Sequence, residues 1–577
     1  GVLARENDIS FIAPAPTQAG AAILGPAVKG PVEVPTLVTS YGQYQRVFGT
    51  AFESGSNKYE FFTSLAVKSY FNQGGDSVLV TRVVSGSFTG AGSETIEAAT
   101  GSLNNPFTIE TLAKGALQNN TGSLNSDHSL ANGTADNVRF EVSNVNNSQG
   151  TFSLIIRRGD DGLKNKIILE TFNDLSLDPN STNYIEKIIG NQVQNFDTDS
   201  DGNRFIQVTG SFSNNSSFVR VKSVPKPTLN YLDNDGNFKP EYTSSLPKIG
   251  SGSVGAGAKL ERGAFGGGKG PKFGLGTGGQ RLRMFDEISV ASIQGVAAAD
   301  YTSSIALLQN KDEYDFEVIT IPGVTIQNGA IATTTLIDTV TQRGDAIAVV
   351  DTRNYGATIN QAVTSAGTVD SSFAATYWPH VQVLSPETNK LVYVPASTLI
   401  PAVYATNDRL GAEWFAPAGF NRGGVGGAIQ AERKLPPADR DKLYAGKVNP
   451  IASFPGQGPV IFGQKTLQTK ATSLDRVNVR RLLIELKRTI GQIGEGLLFE
   501  QNTAATRGRF LNQVNPFLES VQQRQGIFAF RVVMDETNNT ADVIDRNQLV
   551  GQIFIQPTRT AEFIILDFNI TPTGVEI

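Results

Sequence analysis

Between residues 87 and 280 the chain changes character, and that change constrains its architecture more than any other feature. Asn, Ser, Thr, Gly and Asp dominate there, broken by short alternating runs such as NVRFEVSNV, TFSLIIRR, KIILETF and FIQVTG. Short strands separated by frequent turn residues predict a β-sandwich or barrel-like unit with a small core. On both sides the pattern is that of an α/β domain. AAILGPAVKGP reads as a strand ending in a Gly-Pro turn, and Phe62, Leu65, Ala66 and Ser69 recur at helical spacing before Gly74-Gly75 stops the helix. SVLVTRVV, from Ser77 to Val84, reads as a buried strand. Beyond 281, the strand-like YDFEVITIPG and GDAIAVVDTR flank the helix-like TTTLIDTVTQRG. Strand–helix–strand with apolar runs predicts a parallel, buried sheet.

The simplest architecture is a multidomain α/β chain. An extended arm covers 1–16, and 17–88 with 281–375 form a split α/β core domain. A β-rich protruding insertion covers 89–249, a Gly-rich linker 250–280, and a C-terminal α+β domain 376–577. That last block holds a hairpin around Pro386–Lys390, then two helices, with Pro516 expected to break the second.

Several function classes are excluded at once. The 577 residues contain no cysteine, so disulfides, thiol nucleophiles, iron–sulfur clusters and Cys-bearing zinc sites are absent. With two histidines, His128 and His380, no multi-His metal cluster can form within one subunit, and any Ser-His-Asp arrangement needs one of them. A formal charge of −5 argues against non-specific nucleic-acid binding. No apolar run approaches the ~18 residues of a membrane-spanning helix. No secretory signal is visible, and the opening Gly1 implies residues ahead of it.

Two nucleotide-motif lookalikes sit in the linker. GAFGGGK, Gly263–Lys269, fits the start of a phosphate loop, but Gly270 stands where Ser or Thr should hold magnesium. GLGTGG, Gly274–Gly279, matches a dinucleotide fingerprint without the preceding strand. Both are expected by chance in so glycine-rich a stretch. DTDSDGN spaces Asp197, Asp199, Asp201 and Gly202 like the first half of a calcium loop, but Val208 occupies the place of the bidentate Glu, so it reads as an acidic turn. No catalytic, cofactor or metal residue is assigned, and the chain is expected not to be an enzyme.

Two segments point towards partners. RVNVRRLLIELKRTIG, from Arg476 to Gly491, gathers Val479, Leu482, Leu483, Leu486 and Ile490 into an apolar arc. Arg476, Arg480 and Lys487 form one flanking stripe, and Arg481 and Arg488 a second. Such a cationic helix in an acidic chain suits docking onto an acidic partner; the plainer reading is a solvated face. At the C-terminus, EFIILDFNI alternates: Ile564, Leu566, Phe568 and Ile570 face one way, and Ile565, Asp567 and Asn569 the other. Such a strand is either internal or pairs with another chain.

These segments fall in a familiar order. GVLARENDIS resembles the N-terminal arm of the contractile phage tail sheath family, and AAILGPAVKGPVEVPTLVTSYGQYQRVFG its first strand and following element. YFNQGGDSVLVTRVV is similar to its helix–turn–strand. YWPHVQVLSPETNKLVYVPAS, AEWFAPAG, VNVRRLLIELKRTI, LLFEQNTAATRGRF and DETNNTADVIDRNQLVGQIFIQPTRTAEFIILDF follow in family order, so the resemblance covers about 1–88 and 310–577. It implies a structural subunit that polymerises with itself around an inner tail tube, meets a baseplate and a tail terminator, and contracts without ATP. Such a subunit would bind no nucleic acid directly and insert into no membrane. It would sit in the virion tail and, during assembly, in the host cytoplasm. The resemblance also implies that Val2, Leu3, Arg5 and Ile9 of the N-terminal arm, with Phe563, Ile564, Leu566, Phe568 and Ile570, add strands to neighbouring subunits. It places Arg476, Arg480, Arg481, Lys487 and Arg488 in the tube-facing domain. A bacteriocin- or secretion-type injector shares all these features. A nucleotide-binding enzyme is disfavoured by the composition, and a β-rich adhesin would explain the insertion alone.

Overall fold

The computed structural model describes residues 17–54, 57–94, 96, 98, 105–200, 202–225, 227–229, 232–237, 246–250, 263–270 and 292–562. Its first segment contributes strands β1 (Thr17–Gly25) and β2 (Thr36–Val38), helix α1 (Phe62–Asn72) and strand β3 (Val78–Arg82). Gly74 ends the α1 turn at φ +94, where an added Cβ would lie 2.9 Å from Arg409 Nε. After the insertion come β4 (Tyr314–Thr325), α2 (Ala330–Arg343), β5 (Ile347–Asp351) and β6 (Ala374–Trp378). Helix α3 (Ile400–Leu410) follows, then β7 (Asn449–Phe454) and β8 (Gly458–Ile461).

These strands make one eight-stranded sheet in the order β2-β3-β1-β4-β5-β6-β7-β8. β1 pairs in parallel with both β3 and β4, so chain segments separated by the whole insertion lie side by side. Only the outermost strands, β2 and β8, run antiparallel to their neighbours. Both faces are covered, which is why the strands read as continuous apolar runs. On β1, Ala22 and Leu24 enter one core with α2, while Ala21 and Ile23 enter the opposite core with α1 and α3. On β5, Ala348 and Val350 likewise oppose Ile347 and Val349. The sheet does not stop at the expected boundary after residue 375. β6 runs on to Trp378, and the segments NPIASF and GPVI, too short to stand out in the sequence, extend the sheet by two strands.

In the insertion, a three-stranded sheet (138–176) and a four-stranded sheet bury their apolar faces in one core; the last strand of the second, Phe265–Gly266, lies in the stretch expected to be a linker and corrects that expectation. Ile109 and Val221 come from one sheet, and Phe140, Phe152 and Ile156 from the other. A further hairpin, Val193–Thr198 with Arg204–Thr209, leans back on the α/β domain through Phe196 and Ile206. The chain on either side of the insertion is held together, since Ala297 N donates to Ser85 Oγ at 2.9 Å. Replacing residues 89–280 by a short linker is therefore expected to leave the eight-stranded sheet folded. Far-UV circular dichroism and a cooperative melt would check this; loss of cooperative unfolding would mean that the core depends on the insertion.

The C-terminal layer comprises helix α4 (Val477–Glu495), helix α5 (Ala504–Gln523) and the antiparallel ribbon of β9 (Ile527–Val533) and β10 (Gln552–Pro557). α5 passes through Pro516 unbroken, contrary to expectation. Pro516 and Asn512, whose carbonyl loses its partner, are both exposed, so water can satisfy that oxygen. Val514 and Leu518, on either side, are fully buried and hold the helix to its core.

Candidate functional site

Helix α4 is buried on two sides. Leu482 and Leu486 join Phe510, Val514, Leu518 and Val521 of α5 in a core that also takes Ile527 of the ribbon. Val477 and Ile484 join the core of the main sheet instead. Val477, Arg481, Ile484 and Arg488 recur at helical spacing, so two arginines share the face turned to the α/β domain.

That face meets acids. Arg481, 3% exposed, pairs with Asp408 of α3 (Nη1–Oδ1 2.7 Å), lies 3.8 Å from Glu317 Oε2 and stacks 4.8 Å from the Tyr404 ring centroid. Arg488 reaches Asp315 at 2.8 Å and Glu317 at 2.6 Å, two residues of β4 that project from the same side of the strand. Burial alone would lower the Arg481 pKa, but Asp408 and Glu317 outweigh it and keep the guanidinium firmly charged. Burial also raises Glu317 above the usual carboxylate range, against the pull of Arg481 and Arg488. Arg480 lies 3.9 Å over the Phe373 ring and donates to Ser372, and burial lowers it to about 10. Arg476 pairs with Asp475 at 2.9 Å and with Glu562 at 2.7 Å.

Arg476, Arg480, Arg481 and Arg488 are therefore engaged within the chain, which corrects the expectation that they stand ready for a partner. Of the five cations, Lys487 is the exposed one. A single apolar arc made the cations look solvated; the second apolar pair, Val477 and Ile484, was the missed signal. The cluster works as an ionic joint between the α/β domain and the C-terminal layer.

The ribbon is the other feature of note. Phe530, Val532, Ile553 and Ile555 pack on the C-terminal core, whereas Phe528 and Phe554 are 75% and 56% exposed. Among the described residues the ribbon has two strands, and neither outer edge is paired. Isolated two-stranded ribbons are marginal, and open edges invite a further strand. The expected arm residues Val2, Leu3, Arg5 and Ile9, and Phe563, Ile564, Leu566, Phe568 and Ile570, lie outside the described residues.

The backbone amides of Ala264, Gly268 and Lys269 are taken by Glu94, Asn119 and Thr89, so the Gly263–Lys269 stretch is not an open phosphate cradle. The 274–279 motif lies outside the described residues. Asp199 accepts from Asn203 and closes the turn of the 193–209 hairpin. His380 is buried 3.7 Å from Glu432, and burial lowers it to about 4. Among the described residues, no group of three or more His, Asp or Glu could hold a metal ion, and no helix is long and apolar enough to cross a membrane.

Residues 294–467 match the phage tail sheath protein central domain, and residues 469–571 the phage tail sheath C-terminal domain. The chain is 40% identical over 184 residues to the tail sheath protein of Vibrio phage KVP40, covering 32% of this chain and 27% of that protein. It is 36% identical over 208 residues to the tail sheath protein of Enterobacteria phage T4, covering 36% and 32%. The aligned part thus spans about a third or less of those relatives' length. In fold, the crystal structure of the sheath tail protein Lin1278 from Listeria innocua is similar over 94% of this chain and 96% of its own, with a TM-score of 0.51 at 11% identity.

Proposed function

The chain belongs to the contractile phage tail sheath family, and we propose that it is a sheath subunit that polymerises as stacked rings around an inner tube and contracts to drive that tube through a cell envelope. The observation that carries this reading furthest is the C-terminal ribbon, with its exposed phenylalanines and open edges. Residues 563–577, whose FIILDFNI lead-in alternates as a strand would, come a few residues after the ribbon ends at Pro557. A strand given to a neighbour's ribbon, and one received in return, links subunits by main-chain hydrogen bonds that survive rotation of the domains. The N-terminal residues 1–16 would serve the same lattice from the other end of the chain.

The partners in this reading are copies of the chain itself, the inner tube, the baseplate and the tail terminator. The site of action is the virion tail, after assembly in the host cytoplasm. The insertion, polar and joined through adjacent ends, protrudes from the outside of the cylinder. The matched relatives at 36–40% identity are phage proteins, which favours a phage tail over a secretion-type injector. The role is structural, and no catalytic step is assigned.

Sedimentation of the purified chain tests the proposal. Particles far larger than one subunit are expected; a monomer at every concentration would count against it.

A further inference from the structure

Donors from three separate elements converge on one carboxylate where the described chain ends. Glu562 accepts from Arg476 Nε at 2.7 Å and Nη2 at 3.0 Å, from the Tyr444 hydroxyl at 2.7 Å and from Gln464 Nε2 at 3.2 Å. Gln464 also donates to Thr560 Oγ1 at 2.6 Å. The holders are rooted: Arg476 opens α4, Tyr444 sits on the helix Pro437–Ala445, and Gln464 is 3% exposed. Val477 N donates to Gln464 O at 2.8 Å and ties two of these elements together. The Glu562 side chain is 19% exposed. Such bidentate, charge-assisted geometry is specific as well as strong.

Position gives the contact its meaning. β10 ends at Pro557 on the C-terminal layer, and the chain then crosses to the α/β domain before residues 563–577 begin. We propose that Arg476, with Tyr444 and Gln464, anchors Glu562 and so fixes the point on the α/β domain from which the C-terminal segment departs towards a neighbouring subunit. Arg476 is thereby a positioning residue for the arm rather than a tube contact, an inference that rests on the strand-exchange reading above. A fixed origin raises the effective concentration of a tethered strand at its target. Fully extended, residues 563–577 reach roughly 50 Å from that origin.

Arg559 is exposed three residues before Glu562, so trypsin cleavage there reports release of the anchor. The full chain would be compared with Arg476→Gln, Glu562→Gln and the double variant, following cleavage by mass spectrometry and assembly by electron microscopy. Each single variant should be cut roughly tenfold faster at Arg559, because the open population rises when a charged hydrogen-bonded pair is lost. The double variant should be no faster than the faster single one, since both remove the same contact. Arg476→Lys, which keeps the charge but not the fork, should fall between and serves if the glutamine variant folds poorly. Wild-type cleavage rates, or effects that multiply in the double variant, would overturn the anchor whatever the assembly result. Faster cleavage with normal cylinders would keep the anchor and count against strand exchange.

Discussion

Deleting residues 563–577 is expected to leave a folded subunit that no longer polymerises. The cut falls after Glu562, beyond every described strand and helix, so neither the main sheet nor the C-terminal core loses a described residue. What it removes is the alternating segment that, in the proposed lattice, the open ribbon of a neighbour would receive. A single added strand contributes modestly, but in a helical lattice every subunit depends on it, and weak repeated contacts act together. Deleting residues 1–12, which ends short of β1 at Thr17, should have the same outcome. Unchanged melting together with loss of fast-sedimenting material is the expected pair of results. Normal polymers from both truncations would mean that the lattice is held by other surfaces.

Breaking the ionic joint should have the largest effect on stability. Arg481→Ala leaves Asp408 facing Glu317 with its main cation gone, and removing one partner of a buried pair typically costs about 3–5 kcal/mol. That is a large fraction of the ~5–15 kcal/mol by which domains are stable. The Asp408 side chain is 23% exposed and can rehydrate once the arginine is gone, whereas Arg481 is 3% exposed and cannot, so Asp408→Ala should cost at least as much as Arg481→Ala. Arg488→Ala should cost less than either, because Arg481 still faces Glu317. Replacing both members, Arg481→Met with Asp408→Leu, should recover much of the loss, since no uncompensated charge stays buried. Denaturant unfolding measures each of these; a loss below about 1 kcal/mol for Arg481→Ala would place the arginine in a solvated pair instead.

The difference between what the sequence made legible and what it hid has a physical basis. β1, β3, β4 and β5 are buried on both faces, and continuous apolar runs announce such strands without reference to anything distant. α4 was legible as a helix for the same local reason. Its role was not, because the function of an arginine depends on what faces it. Nothing near residues 481 and 488 in sequence indicates that Asp315 and Glu317, on a strand far earlier in the chain, present their carboxylates to that helix face. The apolar pair Val477 and Ile484, in register with Arg481 and Arg488, is the trace that such a face leaves in the sequence. β7 and β8 escaped because short strands at a sheet edge carry little pattern of their own. Pro516 misled because a proline breaks a helix only where its lost hydrogen bond cannot be made to water.

Electron microscopy of the purified full chain tests the central claim most directly. A sheath subunit should form hollow cylinders of stacked rings, with a lumen wide enough for an inner tube. Discrete monomers, or amorphous aggregates without a lumen under conditions where the chain is folded, would contradict it.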